Sequence, residues 1–251
     1  MYNIIIFDVS AVFCPLYFAN NGDYISIFFF FKLILNIISS YSDCYIVFAF
    51  DKCINNFRKT LLKEYKSNRT MDLQLRDALS KIEQILSSYN IPIEYHHQYE
   101  ADDIIATYSD FAHKNNLKCT IIGIDKDLYQ LLDNSGTSIF HPFKKIFITI
   151  EDVITKFNIH PSRFALFQAL SGDSSDNIPG IKSVGPKTAA SILNNCDDMG
   201  DFANKFPKYD FTNLDLMLEL TKLKIININF NINNNYKEIR NYIINIINEL
   251  N

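Results

Sequence analysis

The sequence predicts an α/β fold: a central, mostly parallel sheet flanked by helices, with a helical region after it. Three observations carry that prediction. Short apolar runs alternate with helix-length segments through the first half of the chain, the pattern of a parallel sheet covered on both faces. Three of those runs are each followed by an Asp. Farther on, a block punctuated by Gly180 and Gly185 opens into an Ala-rich helix, which reads as a helix–hairpin–helix.

In order, Asn3–Phe7 is a short buried strand with Asp8 at its end. Ser26–Ser39 is a helix. The wider stretch Tyr24–Ile38 is very apolar, but it contains Lys32 and Asn36 and is shorter than the ~20 residues a spanning helix needs. A helix buried against the sheet is the expectation. Tyr45–Phe50 is the next strand, followed by Asp51; Leu73–Tyr89 and Ala101–Asn115 are helices. Thr120–Ile124 is a third strand, with Asp125 and Asp127 next. Leu214–Ile226 and Tyr236–Leu250 read as helices separated by an Asn-rich loop over 227–235.

With 48% hydrophobic and 21% charged residues, the 251-residue chain has material for a sizeable core. Its five cysteines show no CxxC spacing, which argues against zinc and disulfides and for a reducing, cytoplasmic setting. The chain enters a strand at once, with no secretory leader pattern. The net charge of −4 hides an uneven distribution. From Lys52 to Arg69 there are six basic residues (Lys52, Arg58, Lys59, Lys63, Lys66, Arg69) against one acid, Glu64.

The acids concentrate elsewhere, first in Glu100-Ala101-Asp102-Asp103 at the start of a helix. Acids in a first turn complement the helix dipole, and one strand-end Asp is commonly a helix N-cap. Three carboxylates in four residues repel one another, however, and call for raised pKa values or a compensating cation. In a parallel sheet, functional groups gather beyond the carboxyl ends of the strands. Three Asp-ended strands plus this helix start would bring six or more carboxylates to one rim, a donor set suited to Mg²⁺ or Mn²⁺. Lys and Arg runs are usually solvated faces. The run at 52–69 leaves directly from Asp51, which favours a phosphate-contacting element. The block from Leu170 to Ala190 adds Asp173 and Asp176 to the acids and Lys182 and Lys187 beside backbone N–H groups that can face a phosphate.

These residues resemble a family. FDVS at 7–10, FAFD at 48–51, FRKTLLKEYKSNR at 57–69, YEADDIIAT at 99–107, GIDKDLYQLL at 123–132 and GDSSDNIPGIKSVGPKTAA at 172–190 look, in order and spacing, like the 5′→3′ exonuclease domain of bacterial family A DNA polymerases. More distantly they resemble flap endonucleases. The resemblance implies a PIN-like catalytic domain over 1–160 with a helical arch at about 52–90. It also implies a helical DNA-binding region over 161–251, with the helix–three-turn–helix at about 172–195. The implied activity is structure-specific hydrolysis of DNA, or of an RNA primer, at or near a 5′ end, by two cations about 4 Å apart. Carried over by position, the family's acids fall on Asp8, Asp51, Glu100, Asp102, Asp103, Asp125, Asp127, Asp173 and Asp176. One Mg²⁺ or Mn²⁺ would sit among Asp8, Asp51, Glu100 and Asp102, with Asp103 acting through water. A second would sit near Asp125, Asp127 and Asp173, with Asp176 behind. Arg58, Lys66 and Arg69 match basic positions of the arch; Arg58 and Lys66 would hold the scissile phosphate, and Tyr65 would stack on a base. Gly180, Lys182, Gly185, Lys187 and Thr188 would grip duplex backbone, with K⁺ at the hairpin. The implied partners are DNA bearing a 5′ end or flap, an RNA–DNA primer and a DNA polymerase in trans, bound by a monomer on the nucleoid and away from any membrane.

Departures from the family pattern are Val9 in place of Gly after the first Asp, Pro15 in place of a common Arg, and Gly123-Ile124-Asp125 in place of Gly-Asp, which leaves the part played by Gly123 open. No polymerase sequence follows within the chain. The leading reading is the metal-dependent 5′-nuclease. A DNA-structure-binding protein with weak or no cleavage is the runner-up, supported by Val9 and Pro15 and opposed by the intact acids. A PIN-type ribonuclease would explain the rim but not the hairpin block. His96 and His97 read as surface or supporting residues, and Cys14 and Cys119 as core.

Overall fold

The structure, a computed structural model, describes residues 3–70, 72–132, 136–230 and 236–251. Its sheet has six strands: β1 (Asn3–Asp8), β2 (Cys44–Ala49), β3 (Ile93–Glu94), β4 (Lys118–Ile122), β5 (Thr137–His141) and β6 (Ile146–Ile148), in the order β3-β2-β1-β4-β5-β6. All neighbours pair parallel except β5 and β6, which form an antiparallel edge. The central strands are mostly apolar on both sides, with polar residues at Asn3, Asp8, Lys118 and Thr120, because both faces are covered. Ile4, Ile6, Val47, Cys119 and Ile121 point into one core, and Ile5, Phe7, Ile46, Phe48 and Ile122 into the other. The side-chain period of two divides each strand between them.

One face carries α1 (Val9–Ala19), α2 (Ile25–Ile38) and α4 (Leu73–Ser88). The apolar stretch expected to be a buried helix is α2, with Ile27, Phe30, Phe31, Ile34, Ile37 and Ile38 sealed inside. No helix among the described residues is long and apolar enough to cross a membrane. The other face carries α5 (Ala101–Lys114), α6 (Ile150–Phe157), α7 (Phe164–Ser171), α8 (Pro186–Asn195), α9 (Gly200–Lys205) and α10 (Leu214–Thr221). The last helix, α11 (Tyr236–Leu250), leaves that helical region: Ile239, Ile243 and Ile246 share the core of α2 and β2.

Differences from the expected elements have local causes. The strand expected over Thr120–Ile124 ends at Ile122, because Asp125 caps a 3₁₀ helix, Lys126–Leu131, by accepting from the Asp127 N–H at 2.9 Å. The basic stretch contains only a five-residue helix, α3 (Phe57–Leu61), before it turns. α10 stops at Thr221 rather than running to Ile226, since the backbone N–H groups beyond it go to side chains of the sheet domain, Leu223 to Gln130 and Lys224 to Asp103. Of the expected loop over 227–235, residues 231–235 lie outside the described residues.

Candidate active site

β2, β1 and β4 are neighbours in the sheet, so the acids beyond their ends share one rim. Asp8 ends β1 and caps α1, accepting from the Ala11 N–H at 3.0 Å. Asp125 is likewise held by its own cap hydrogen bond. Asp102 arrives from the first turn of α5. The caps at Asp8 and Asp125 each fix the orientation of a carboxylate at the rim. Asp8, Asp51, Asp102 and Asp125 line a cleft of about 610 Å³ together with Lys66, Arg69, Lys126 and Lys156. Carboxylate oxygens of Asp102, Asp125 and Asp127 lie within 4.8 Å of one another. A Cβ on Gly123 would come within 3.5 Å of the Asp8 Cβ and 3.1 Å of Leu128, so this glycine leaves room for Asp8.

The electrostatics follow from crowding. Burial, reinforced by Asp125 and Asp51, pushes the Asp8 carboxyl up to about 7 despite its cap hydrogen bond. Burial and Asp125 do the same to Asp127, also to about 7. Asp102 is raised well above the ordinary carboxylate range by burial and then by Asp125 and Asp8. Asp51 reaches solvent at the cleft mouth, yet partial loss of hydration there and the Glu100 charge raise it too. An all-oxygen, mutually repelling donor set is what a hard divalent cation fits.

The remaining acids are engaged differently. Arg58 is 2% exposed, with Nη1 2.7 Å from Asp103 Oδ2 and Nη2 2.8 Å from Oδ1. Its Nε donates to the Leu220 carbonyl at 2.9 Å. The guanidinium expected to hold a scissile phosphate is thus sealed in a bidentate pair, and Asp103, fully buried, answers Arg58 rather than a cation. Tyr65 is also buried, its hydroxyl donating to Glu100 at 2.8 Å, which leaves no face for a base to stack on. Glu100 accepts from Lys66 Nζ at 2.7 Å and Asn56 Nδ2 at 2.9 Å. Burial would raise Glu100, but Lys66 and Arg58 outweigh it and hold its carboxyl below the usual range. Asp176 is paired with Arg69 and lies 3.6 Å from Lys66. Rather than standing off as an open arch, residues 64–69 lie on the loop after α7. The Lys66 N–H, in a left-handed backbone conformation, donates to the Asp176 carbonyl at 2.9 Å, and Asn68 reaches the Ser174 carbonyl. Of the three basic residues singled out, Lys66 and Arg69 face the cleft.

Asp173 follows α7 and is held by Lys126 at 2.9 Å and by Ser175. Burial opposes these contacts, yet together they keep its carboxyl below the usual range. Between Asp173 and Asp127 stands Gln168, donating to both. The sequence reading missed Gln168 because an amide within an apolar helix carries no chemical signal; its position five residues before Asp173 was the available clue. The hairpin adopts its expected form with one reassignment. Gly172 and Gly180 have φ of 75° and 67° and pack backbone to backbone, whereas Gly185 has ordinary φ and open space at its Cβ. Lys182 and Lys187 are exposed. His96 and His97 do not line the cleft. Cys119 is core, but Cys14 lines the cleft with Pro15, its thiol pushed up to about 11 by burial and by Asp8.

Residues 3–158 match the family model of the 5′-3′ exonuclease N-terminal resolvase-like domain, and residues 159–239 that of the 5′-3′ exonuclease C-terminal SAM fold. The chain belongs to the 5′-3′ exonuclease family. It is 32% identical over 206 residues to the 5′-3′ exonuclease of Aquifex aeolicus, covering 79% of this chain and 71% of that one. It is 38% identical over 151 residues to the DNA polymerase I of Rhizobium leguminosarum, covering 60% of this chain but 15% of the polymerase. In fold it is similar to zinc-bound T5 5′-exonuclease, with a TM-score of 0.68 at 21% identity, covering 98% of this chain and 89% of that one.

Proposed function

We propose that this member of the 5′-3′ exonuclease family is a divalent-cation-dependent, structure-specific 5′→3′ exonuclease and flap endonuclease. Its substrates would be DNA and RNA-primer phosphodiesters in replication and repair, in the cytoplasm on the nucleoid. The observation that carries the proposal is the convergence of Asp8, Asp51, Asp102 and Asp125 on one cleft that Lys66 and Arg69 also line. Residues 1–160 would supply the chemistry, with Asp173 added from the following region, and the hairpin of 161–251 would supply the duplex grip. Among relatives of the same fold, T5 5′-exonuclease binds divalent metal ions and the catalytic core of Rad2 is seen in complex with a DNA substrate.

Two cations, Mg²⁺ or Mn²⁺, would be held by Asp8, Asp51, Asp102, Asp125, Asp127 and Asp173. When bound they would supply Lewis acidity toward the phosphoryl oxygens and a water of lowered pKa. Lys66, on the cleft wall and 2.7 Å from Glu100, and Arg69 would face the charge that grows on the phosphoryl group. Glu100, Asp103 and Asp176 act one step back, holding Lys66, Arg58 and Arg69 in place. Exposed Lys182 and Lys187, with Gly180, Gly185 and Thr188, would bind duplex backbone, with K⁺ at that turn. Monomeric action and a polymerase partner in trans complete the proposal. A second reading, DNA-structure binding with weak or no cleavage, is favoured by Pro15, which gives the cleft wall a neutral side chain.

The test is cleavage of a 5′-labelled flap duplex with Mg²⁺ and with EDTA, for wild type and Asp125→Ala. Metal-dependent flap release near the junction, lost in Asp125→Ala, is the expected result. Tight flap binding without cleavage in Mg²⁺ or Mn²⁺ would establish the second reading instead.

A further inference from the structure

We infer that Gln168 is a positioning residue that sets the spacing of Asp127 and Asp173 and so prepares them to share a divalent cation. The inference rests on the metal-dependent reading above. The two acids reach the site by separate routes, Asp127 from the 3₁₀ helix after β4 and Asp173 from the turn after α7. The 3₁₀ helix and α7 pack together through Tyr129 and Phe164, which brings the two acids near each other. Gln168, on α7 and 3% exposed, spans the gap. Its Nε2 donates to Asp127 Oδ1 at 2.6 Å and to Asp173 Oδ2 at 3.2 Å.

The opposite end of the same amide shows why it is there. Oε1 is buried and finds no donor among the described residues. A buried acceptor left unpartnered costs stability, so a side chain selected for packing or folding would not be an amide here. The NH₂ group is the part with a job, and that job is to hold two like-charged carboxylates at a set separation. Lys126 already brings one ammonium to Asp173; a second at position 168 would neutralise Asp127 as well and compete with a cation for it. The neutral amide draws both oxygens toward itself and leaves the Asp127 charge available. Lys126 Nζ sits 2.9 Å from the same Asp173 Oδ2 that accepts from Gln168, so ammonium and amide share that oxygen. Groups that orient metal ligands in this way typically change affinity or activity by about 10- to 100-fold when removed.

The test uses the full chain with Gln168→Met, which keeps length and volume but donates nothing, and Gln168→Leu as a second apolar replacement. Mn²⁺ binding is measured by titration calorimetry without DNA, melting temperature in EDTA, and flap cleavage by steady-state kinetics. The expected result is a Mn²⁺ dissociation constant raised roughly tenfold or more. Melting temperature should stay within about 4 °C of wild type, since losing the unpaired Oε1 offsets the donor lost to the two carboxylates, and kcat should fall with KM for the flap unchanged. Wild-type Mn²⁺ affinity and kcat in both variants would overturn the inference while leaving the nuclease reading intact. So would weakened binding accompanied by a matching loss of melting temperature, the mark of a merely structural residue. If wild type itself binds no Mn²⁺, the metal-dependent reading falls and this inference falls with it.

Discussion

Replacing Arg58 with Met removes a guanidinium that makes five hydrogen bonds: two to Asp103, one to Glu100, and one each to the Leu220 and Lys222 carbonyls. Methionine fills much of the space of the Arg stem, but Asp103 stays behind, fully buried. Among the described residues, only the N–H groups of Glu100 and Lys224 remain to it, at 3.1 and 2.8 Å. Stranding one partner of a buried ion pair costs about 3–5 kcal/mol. For a chain of this size, each kcal/mol moves the melting temperature by about 2–4 °C, so Arg58→Met should melt roughly 6–20 °C below wild type. Arg58→Met with Asp103→Leu should recover at least half of that loss, because the double change leaves no uncompensated charge. Circular-dichroism melts measure this, with flap cleavage assayed well below both transitions. A single variant that melts with wild type yet cannot cleave would refute the reasoning and return Arg58 to the phosphate.

Other outcomes follow from the same coordinates. In EDTA the melting temperature should fall as pH rises from 5 to 7, with Asp102, raised in the same direction as Asp8 and Asp127, adding to the fall. Asp8 and Asp127 hold their protons up to about 7 in the fold but only to ~3.9 unfolded, so the native state loses stability as those protons leave. Glu100 and Asp173, held below the usual range, stay ionised throughout that window and add no slope. Asp8→Asn should flatten the curve and saturating Mg²⁺ should raise its alkaline end; a melting temperature that climbs from pH 5 to 7 in EDTA contradicts the assignment. Gly180→Ala should destabilise by more than about 1 kcal/mol, since its Cβ would sit 2.3 Å from the Gly172 nitrogen at φ 67°. Gly185→Ala, with open space at its Cβ, should stay within about 0.5 kcal/mol of wild type while weakening duplex binding in a fluorescence-anisotropy titration. Equal stability of the two variants would contradict this account of the turn.

The sequence by itself determined the alternation of strands and helices, the buried character of α2 and the gathering of Asp8, Asp51, Asp102 and Asp125 at one rim. These are legible because they depend on short-range periodicity and on one rule of parallel sheets, that neighbouring strands end together. The antiparallel β5–β6 edge was not foreseen, and neither was the return of α11 to the core of α2, since both depend on packing against distant surfaces. Charge pairing was decided only by the tertiary structure. Six basic residues in one stretch look alike in sequence. Folding buries Arg58 against Asp103 and the Leu220 carbonyl, 162 positions away, and turns Lys66 and Arg69 to the cleft. Gln168 became visible only when Asp127, 41 residues away, arrived beside it. A hydrogen bond formed across such a separation depends on three-dimensional position, and spacing along the chain does not encode it.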